Sequence, residues 1–380
     1  MVITGEASGD MLAAELVTAL REKSSSPQKF FGVGGAQVRD AGVETVFDFS
    51  QNAVFGLEAL KRLGEYKARL QQLLALAIER RPDALICVDF GGFNSRFAQT
   101  VKEHVRGQGE TAWHPKIIQF VSPQVWASRP WRANKLARNV DLLLTIFPFE
   151  KAWYAQRVPQ LRVEFVGHPI VDRYARDIPN ERFAAGRMPG ANPRLVIFPG
   201  SRPSELKRHL PVLSEALAQI RAVKPGIRAT MILGETLMPA AKQFGLPEGV
   251  EVRSANLAGA LAEADVAIAK SGTITLECGF FGVPTVVMYK TSWATYALGK
   301  SLVNVKWVAM PNLLANEEVF PEFIQGQATS DNIAGATLEL LDDAARRNWV
   351  KTKLKEIASS LGGPGASRRA AEMILSLVGE

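Results

Sequence analysis

The 380-residue sequence contains only two cysteines, Cys87 and Cys278, far apart and each in an apolar run. That excludes a disulfide framework and a cysteine-based metal site, and it fits a reducing compartment. The four histidines have no ligand spacing with cysteines or carboxylates, and no Asp-x-Asp pair occurs, so no catalytic metal is indicated. A G-x-x-x-x-G-K-[ST] sequence is missing, which disfavours ATP hydrolysis. So is a G-x-S-x-G elbow, and no histidine forms an obvious triad with a serine. No apolar run reaches the roughly 20 residues that span a bilayer; the nearest, Trp293–Leu314, is broken by Lys300 and Lys306. The sequence starts almost at once with Gly5-Glu6-Ala7-Ser8-Gly9-Asp10, leaving no room for a signal segment, so a cytoplasmic protein is expected.

What is present is an ordinary globular composition, 47% hydrophobic and without repeats, in a chain long enough for two cores. The net charge of +7 and pI near 9.4 favour anionic partners: nucleotide phosphates, acidic lipid headgroups or nucleic acid. Nucleic acid is the weakest of these, because the basic residues are dispersed and carry no recognised binding signature.

Short apolar runs alternate with amphipathic stretches. Phe30–Val33, Ala84–Asp89, Lys116–Val121, Leu142–Ile146 and Val163–Val166 read as strands of one βα-alternating lobe. A polar stretch after Gly167-His168-Pro169 precedes a second series, with strands at Arg194–Phe198, Ala229–Leu233, Val250–Arg253, Val266–Ala269 and Thr285–Met288. The expected fold is α/β, with two Rossmann-like domains, 1–170 and 171–345, facing a cleft. Helices in 346–380 are expected to pack back on the first domain or on a partner chain.

Several strand-to-helix loops carry candidate chemistry. In Gly5–Asp10, outward backbone N–H groups suit a phosphate or a sugar hydroxyl, and a turn capped by Ser8 or Asp10 would look the same. Gly32-Val33-Gly34-Gly35 fits either close ligand approach or a plain tight turn. Asp89, before Phe90-Gly91-Gly92-Phe93-Asn94, sets a carboxylate at a strand's carboxyl end beside two glycines; it fits a general base acting on a sugar hydroxyl, or a helix cap. Trp126, Arg129 and Trp131 suit a wall for sugar or acyl groups, or core packing. His168 fits a structural hydrogen-bond partner better than a cleft residue.

The second series is sharper. In Phe198-Pro199-Gly200-Ser201-Arg202, the small residues admit a diphosphate whose charge Arg202 neutralises, with Glu205 following. Lys270-Ser271-Gly272-Thr273 opens another helix, and Glu277 one turn later is placed for ribose hydroxyls. Together these two loops point to a nucleotide diphosphate.

In order and spacing, Gly5–Asp10, Asp89 with Phe93-Asn94, Ser122–Trp126, Phe147-Pro148-Phe149-Glu150, Gly167-His168, Pro199–Arg202 with Glu205, Ser271–Glu277 and Pro311-Asn312-Leu313-Leu314-Ala315 resemble the lipid-A-disaccharide synthase family over nearly the whole chain. The resemblance implies a GT-B glycosyltransferase without cofactor. Its reaction would be inverting transfer of 2,3-diacylglucosamine from UDP-2,3-diacylglucosamine to the 6-hydroxyl of 2,3-diacylglucosamine 1-phosphate. By the same resemblance Asp89 is the general base, and Gly200, Ser201, Arg202, Glu205, Ser271, Gly272, Thr273, Glu277 and Asn312 hold UDP. Glu6, Ser8 and Asn94 face the sugar or acceptor. A peripheral protein on the cytoplasmic face of the inner membrane is implied, with the apolar Trp293–Leu314 stretch compatible with attachment, and so is a homodimer that exchanges C-terminal segments. Two departures stand out: Gly92 replaces an acidic residue that many members carry, and Ser128-Arg129 interrupts a tryptophan-rich run. The alternatives are another UDP-N-acetylglucosamine enzyme on the same scaffold, a peptidoglycan glycosyltransferase or a 2-epimerase, and a non-catalytic nucleotide-sugar binder.

Overall fold

The run Ala84-Leu85-Ile86-Cys87-Val88 becomes a strand in which every residue after the first is buried. A strand apolar on both faces needs cover on both, the condition of a parallel sheet flanked by helices. A computed structural model, describing residues 1–5, 7–47, 63–107, 113–174, 190, 192–254, 256–293, 295–297 and 305–379, meets that condition twice. Packing divides the chain into Met1–Asp172 with Leu361–Glu380, and Arg173–Ser360.

In the first unit β1 (Val2–Ile3), β2 (Phe31–Val33), β3 (Glu44–Phe47), β4 (Ala84–Val88), β5 (Lys116–Phe120), β6 (Leu142–Thr145) and β7 (Arg162–Phe165) form one parallel sheet in the order β3-β2-β1-β4-β5-β6-β7. The chain winds outward from β1, returns to β4 and winds outward the other way. The pairing of Val2 with Ile86 and Ile3 with Cys87 therefore marks the switch point, outside which doubly wound sheets hold their ligands. The chain leaves it at Thr4-Gly5, before the helix Ala7–Lys23, and at Asp89-Phe90, before the helix Gly91–Arg106. Ile3, Leu85, Cys87, Phe93, Phe97 and Ile117 lie in one apolar core beneath them.

The second unit repeats the plan with β8 (Arg194–Phe198), β9 (Arg228–Ile232), β10 (Glu251–Arg253), β11 (Val266–Lys270), β12 (Thr285–Tyr289) and β13 (Glu322–Ile324), all parallel, in the order β10-β9-β8-β11-β12-β13. Its switch point is β8/β11, where Ile197 pairs with Ile268 and Phe198 with Ala269. The loops leaving it are Pro199–Arg202 and Lys270–Thr273.

Two strands carry no continuous apolar signal and are missing from the sequence reading: β3, with an alternating half-exposed pattern, and β13, three residues long and opening on Glu322. Both are edge strands, where one flank is open to water. The helical tail also differs from the single block expected from residue 346. Ala344–Ser360 packs on the helices Ile274–Phe280, Met310–Ala315 and Ser330–Asp342 of the second unit. Only Ala366–Val378 joins the first unit, packing along Ala7–Lys23 with a Lys23–Glu372 ion pair of 2.8 Å.

Candidate active site

The end of β4 is bent by two consecutive left-handed residues, Asp89 (φ 50°) and Phe90 (φ 44°). Such conformations cost about 1–3 kcal/mol per residue, so neighbours must impose them. They do: the Asp89 N–H donates to Phe120 O at 2.9 Å, and Asp89 O accepts from Asn94 Nδ2 at 2.9 Å and Gln119 Nε2 at 3.1 Å. The Gln119 amide also donates to Val121 O, and Val121 is itself left-handed (φ 67°). Gly5 and Gly9 admit the other loop against this bend: a Cβ on Gly5 would lie 2.5 Å from the Phe90 ring, and one on Gly9 would lie 3.4 Å from Asp89 Cβ.

Asp89 thereby lines the end of a groove of about 1140 Å³. One wall is the helix Gly91–Arg106, presenting Gly92, Ser95 and Arg96; another is Pro123–Arg129 with Arg132, Lys135 and Leu136; Leu70 and Leu74 add apolar surface. A side chain at Gly92 would meet nothing within 4 Å, so the loss of an acidic residue there widens the groove.

A buried network lies beneath the Pro123–Arg129 wall. Glu150 is fully buried and accepts from Trp126 Nε1 at 3.0 Å and the Phe147 N–H at 3.1 Å, while Ser122 Oγ and the Tyr154 hydroxyl lie 2.9 Å apart. Burial pushes the Glu150 carboxyl up to about 7, against the opposing pull of these donors. Glu150 appears in the sequence only as part of a motif; its anchoring role needs the fold.

In the second unit Gly200 (φ 137°) and Gly272 (φ 150°) occupy backbone regions that side chains avoid. Glu205 turns back under its own loop: Oε2 accepts from the Ser201 N–H at 2.8 Å, and Oε1 lies 3.4 Å from Lys270 Nζ. One turn along the same helix, buried His209 donates from Nδ1 to Pro199 O at 2.6 Å and accepts the Lys290 N–H at Nε2 at 3.0 Å. Burial holds its pKa below the ordinary histidine value, favouring the neutral ring this bonding requires. Lys270 stood in the Lys270–Thr273 motif without a role of its own, and His209 was not singled out; the Glu205–His209 spacing of four on a helix is the signal that put those two on one face.

The structure brings together Asp89 with Gly5 and Gly9, and separately Gly200, Ser201, Glu205 and Gly272 around Lys270. Ser201, Arg202 and Thr273 are exposed, and Ser271 Oγ donates to Val308 O at 3.1 Å. Glu277, burial-shifted upward, lies 3.4 Å from the Tyr174 hydroxyl and 3.8 Å from Arg173. Ser8 is exposed on the first turn of Ala7–Lys23, and Glu6 lies outside the described residues.

Some residues expected at the surface of the site face inward instead. Asn94 is 0% exposed and donates to the carbonyls of Ile3, Val88 and Asp89, so it ties the switch-point strands together beneath the site. Asn312, also 0% exposed, has its amide committed to Phe320 and Glu322. Asp10 caps the helix Ala36–Asp40 from outside, accepting from the Gly35 and Gln37 N–H groups at 2.6 and 3.0 Å. Gly32 is demanded by strand pairing, since a Cβ there would lie 1.9 Å from Val2 O. Trp126 is buried and Trp131 is 61% exposed, so only Arg129 of that trio lines the groove. His168 accepts the Ile170 N–H at 3.1 Å, a local structural bond. The Trp293–Leu314 stretch lies partly outside the described residues, and its end, Ala309–Asn312, is buried. Among the described residues no helix is long and apolar enough to cross a membrane, and no group of three potential metal ligands is assembled.

Comparison with known proteins matches residues 1–376 to the family model described as lipid-A-disaccharide synthetase. The lipid-A-disaccharide synthase of Trichlorobacter lovleyi is 36% identical over 386 residues, covering 100% of this chain and 97% of that protein. That of Nitrosococcus oceani is 38% identical over 388 residues, covering 99% and 95%. Among solved structures, UDP-GlcNAc 2-epimerase from Neisseria meningitidis, bound to UDP-GlcNAc, superposes with a TM-score of 0.62 at 11% identity, covering 99% of each chain. MurG of Acinetobacter baumannii gives 0.56 at 14%, again covering 99% of each. At such identities the likeness shows the fold alone, and that fold is GT-B.

Proposed function

The chain belongs to the lipid-A-disaccharide synthase family, and we propose that Asp89 is the base of the reaction which that family catalyses. The protein is an enzyme that forms the lipid A disaccharide from a UDP-sugar and a monosaccharide acceptor. The donor is UDP-2,3-diacylglucosamine and the acceptor is 2,3-diacylglucosamine 1-phosphate. The observation that carries the role of Asp89 is its place: a carboxylate on the first of two strained residues at the switch point, lining a groove wide enough for a lipid-bearing sugar.

In this reading the acceptor lies in the first unit's groove. Its 6-hydroxyl oxygen attacks the donor's anomeric carbon, the bond from that carbon to the UDP oxygen breaks, and the hydroxyl proton passes to the Asp89 carboxylate. UDP sits on the second unit's switch-point loops, where Gly200 and Gly272 let the backbone approach the diphosphate. Arg202 and Lys270 offset its charge as it leaves, and Ser201, Ser271 and Thr273 supply donors. Glu277 accepts from the ribose hydroxyls. Glu205 and Asn312 hold the loops in shape, and Asn94 holds Asp89. Ser8, exposed on the first turn of Ala7–Lys23, contacts the sugar.

Peripheral attachment to the cytoplasmic face of the inner membrane is supported by the positive charge balance and by exposed Trp131 beside Arg132 and Arg138. A homodimer that exchanged C-terminal segments would make the contact between Ala366–Val378 and Ala7–Lys23 with a second copy.

Purified protein incubated in detergent micelles with the acylated donor and acceptor tests the reading, with UDP-N-acetylglucosamine as control donor and a chelator present. Mass spectrometry should find a disaccharide from the acylated donor alone. UDP binding without any disaccharide would point to a silent nucleotide-sugar binder, and an epimerised control donor to an epimerase.

A further inference from the structure

The groove beside Asp89 carries more positive charge than its surroundings neutralise. Arg96, Arg129, Arg132 and Lys135 all line it, and among the described residues none of the four forms an ion pair. Elsewhere in the same unit cations are matched, as in Lys102–Asp141 at 2.9 Å and Lys151–Glu164 at 2.7 Å. Lys135 feels the excess directly. Its pKa is pushed below the ordinary lysine value by burial and then by Arg96 and Arg132, with only Glu103 opposing. Glu103 also lines the groove, and it accepts from Gln99 Nε2 at 2.6 Å. Arg96 and Arg132 are exposed and Arg129 and Lys135 half-buried, and an anion bound along this wall would relieve the repulsion among them.

The position of the cluster selects the anion. Arg96 follows Gly92 by one turn of the helix Gly91–Arg106, about 6 Å further from Asp89 along the axis. Lys135 and Arg132 face the groove from the helix Arg132–Asn139. In an α-hexopyranose 1-phosphate the 6-hydroxyl and the anomeric phosphate stand on opposite faces of the ring, borne by the two carbons that flank the ring oxygen. A sugar whose 6-hydroxyl meets Asp89 therefore presents its phosphate away from Asp89.

We propose that Arg96, Lys135 and Arg132 form a subsite for the anomeric phosphate of the acceptor, setting the register that brings its 6-hydroxyl to Asp89. This rests on the acceptor occupying the groove. The apolar surface of Leu74 beside the cations, backed by buried Leu70, Val125 and Leu136, then receives the acyl chains, so one wall recognises both the charge and the lipid of a phosphorylated glycolipid.

The test is acceptor kinetics with the full-length protein in neutral-detergent micelles, using 2,3-diacylglucosamine 1-phosphate and the same sugar without its phosphate. Wild type should prefer the phosphorylated acceptor. The double variant Arg96→Gln with Lys135→Gln should raise KM for the phosphorylated acceptor by roughly tenfold or more, the loss of one to two charge-assisted bonds. KM for the unphosphorylated acceptor and UDP affinity should stay within about twofold of wild type, a pattern that misfolding would not produce. Equal loss with both acceptors overturns the subsite. So does a loss seen only when phosphatidylglycerol is added to the micelles, which would assign the cations to lipid headgroups. Ser95→Trp separates the two claims. If it fills the groove and raises KM for both acceptors while the double variant does not discriminate, the phosphate subsite alone fails; if Ser95→Trp leaves both KM values unchanged, the groove reading fails too.

Discussion

The two units share one design and use it in opposite ways. In each, a parallel sheet reverses its winding and two glycine-containing loops leave the carboxyl ends of the central strands. In the second unit the acidic and amide side chains of the motifs turn inward. Glu205 binds its own loop, Glu322 accepts from the Val308 and Ala309 N–H groups, and Asn312 joins Glu322 to Phe320. That leaves backbone donors and a few cations for a ligand, a surface suited to a compact, highly charged diphosphate. In the first unit the bracing is done from below by Asn94 and Gln119, and Asp89, at the strand end, lines the groove. A motif residue at a switch point thus either shapes a loop or lines a groove.

Breaking that contrast should have its largest effect at Asp89. Asp89→Asn should lower kcat by about 10²–10⁴-fold, the usual contribution of a general base, with UDP affinity unchanged by calorimetry; parallel loss of affinity would place Asp89 with the nucleotide. Next is Arg202→Ala, expected to weaken UDP binding by roughly tenfold or more through loss of charge-assisted bonds, about 1.5–3 kcal/mol. Unchanged affinity would remove Arg202 from the diphosphate site. Asn312→Ala should instead cost stability, about 1–3 kcal/mol for the buried groups it orphans, read as a lower thermal midpoint. A folded Asn312→Ala variant with greater loss of UDP affinity than Arg202→Ala would show that Asn312 meets the ligand after all.

The smallest effect sharpens the contrast through pH. Glu150 keeps its proton in the folded state up to about pH 7, while the unfolded chain releases it near the ordinary glutamate value of 4.5. Its contribution to stability is therefore present below about pH 4.5 and lost as pH rises to about 7, by at most roughly 1.4 kcal/mol per pH unit. In denaturant titrations across that window, the wild-type curve should fall relative to that of Glu150→Gln; parallel curves would mean that Glu150 is ionised throughout.

Much of the fold was legible because buried parallel strands are written as apolar runs. Leu85–Val88, Leu195–Phe198 and Val266–Ala269 announce themselves, whereas β3, alternating and half-exposed, and β13, three half-buried residues opening on Glu322, do not. The loops carrying Asp89, Gly200 and Gly272 were legible as strand-to-helix turns. The facing of Asn94, Glu205 and Asn312 was not, because an amide or carboxylate in a loop looks the same whether it bonds a ligand or its own backbone. The basic groove was hidden for a different reason. Arg96 and Lys135 are 39 positions apart and meet only because the Gly91–Arg106 and Arg132–Asn139 helices pack together.

The most direct test of this division of labour is amide hydrogen exchange of the full-length protein with each ligand in turn. UDP should protect 199–204 and 271–275 and leave 89–96 and 123–136 unchanged, while 2,3-diacylglucosamine 1-phosphate in micelles should do the reverse. Protection of the Asp89 loop by UDP, or of the Gly200 loop by the acceptor, would contradict it.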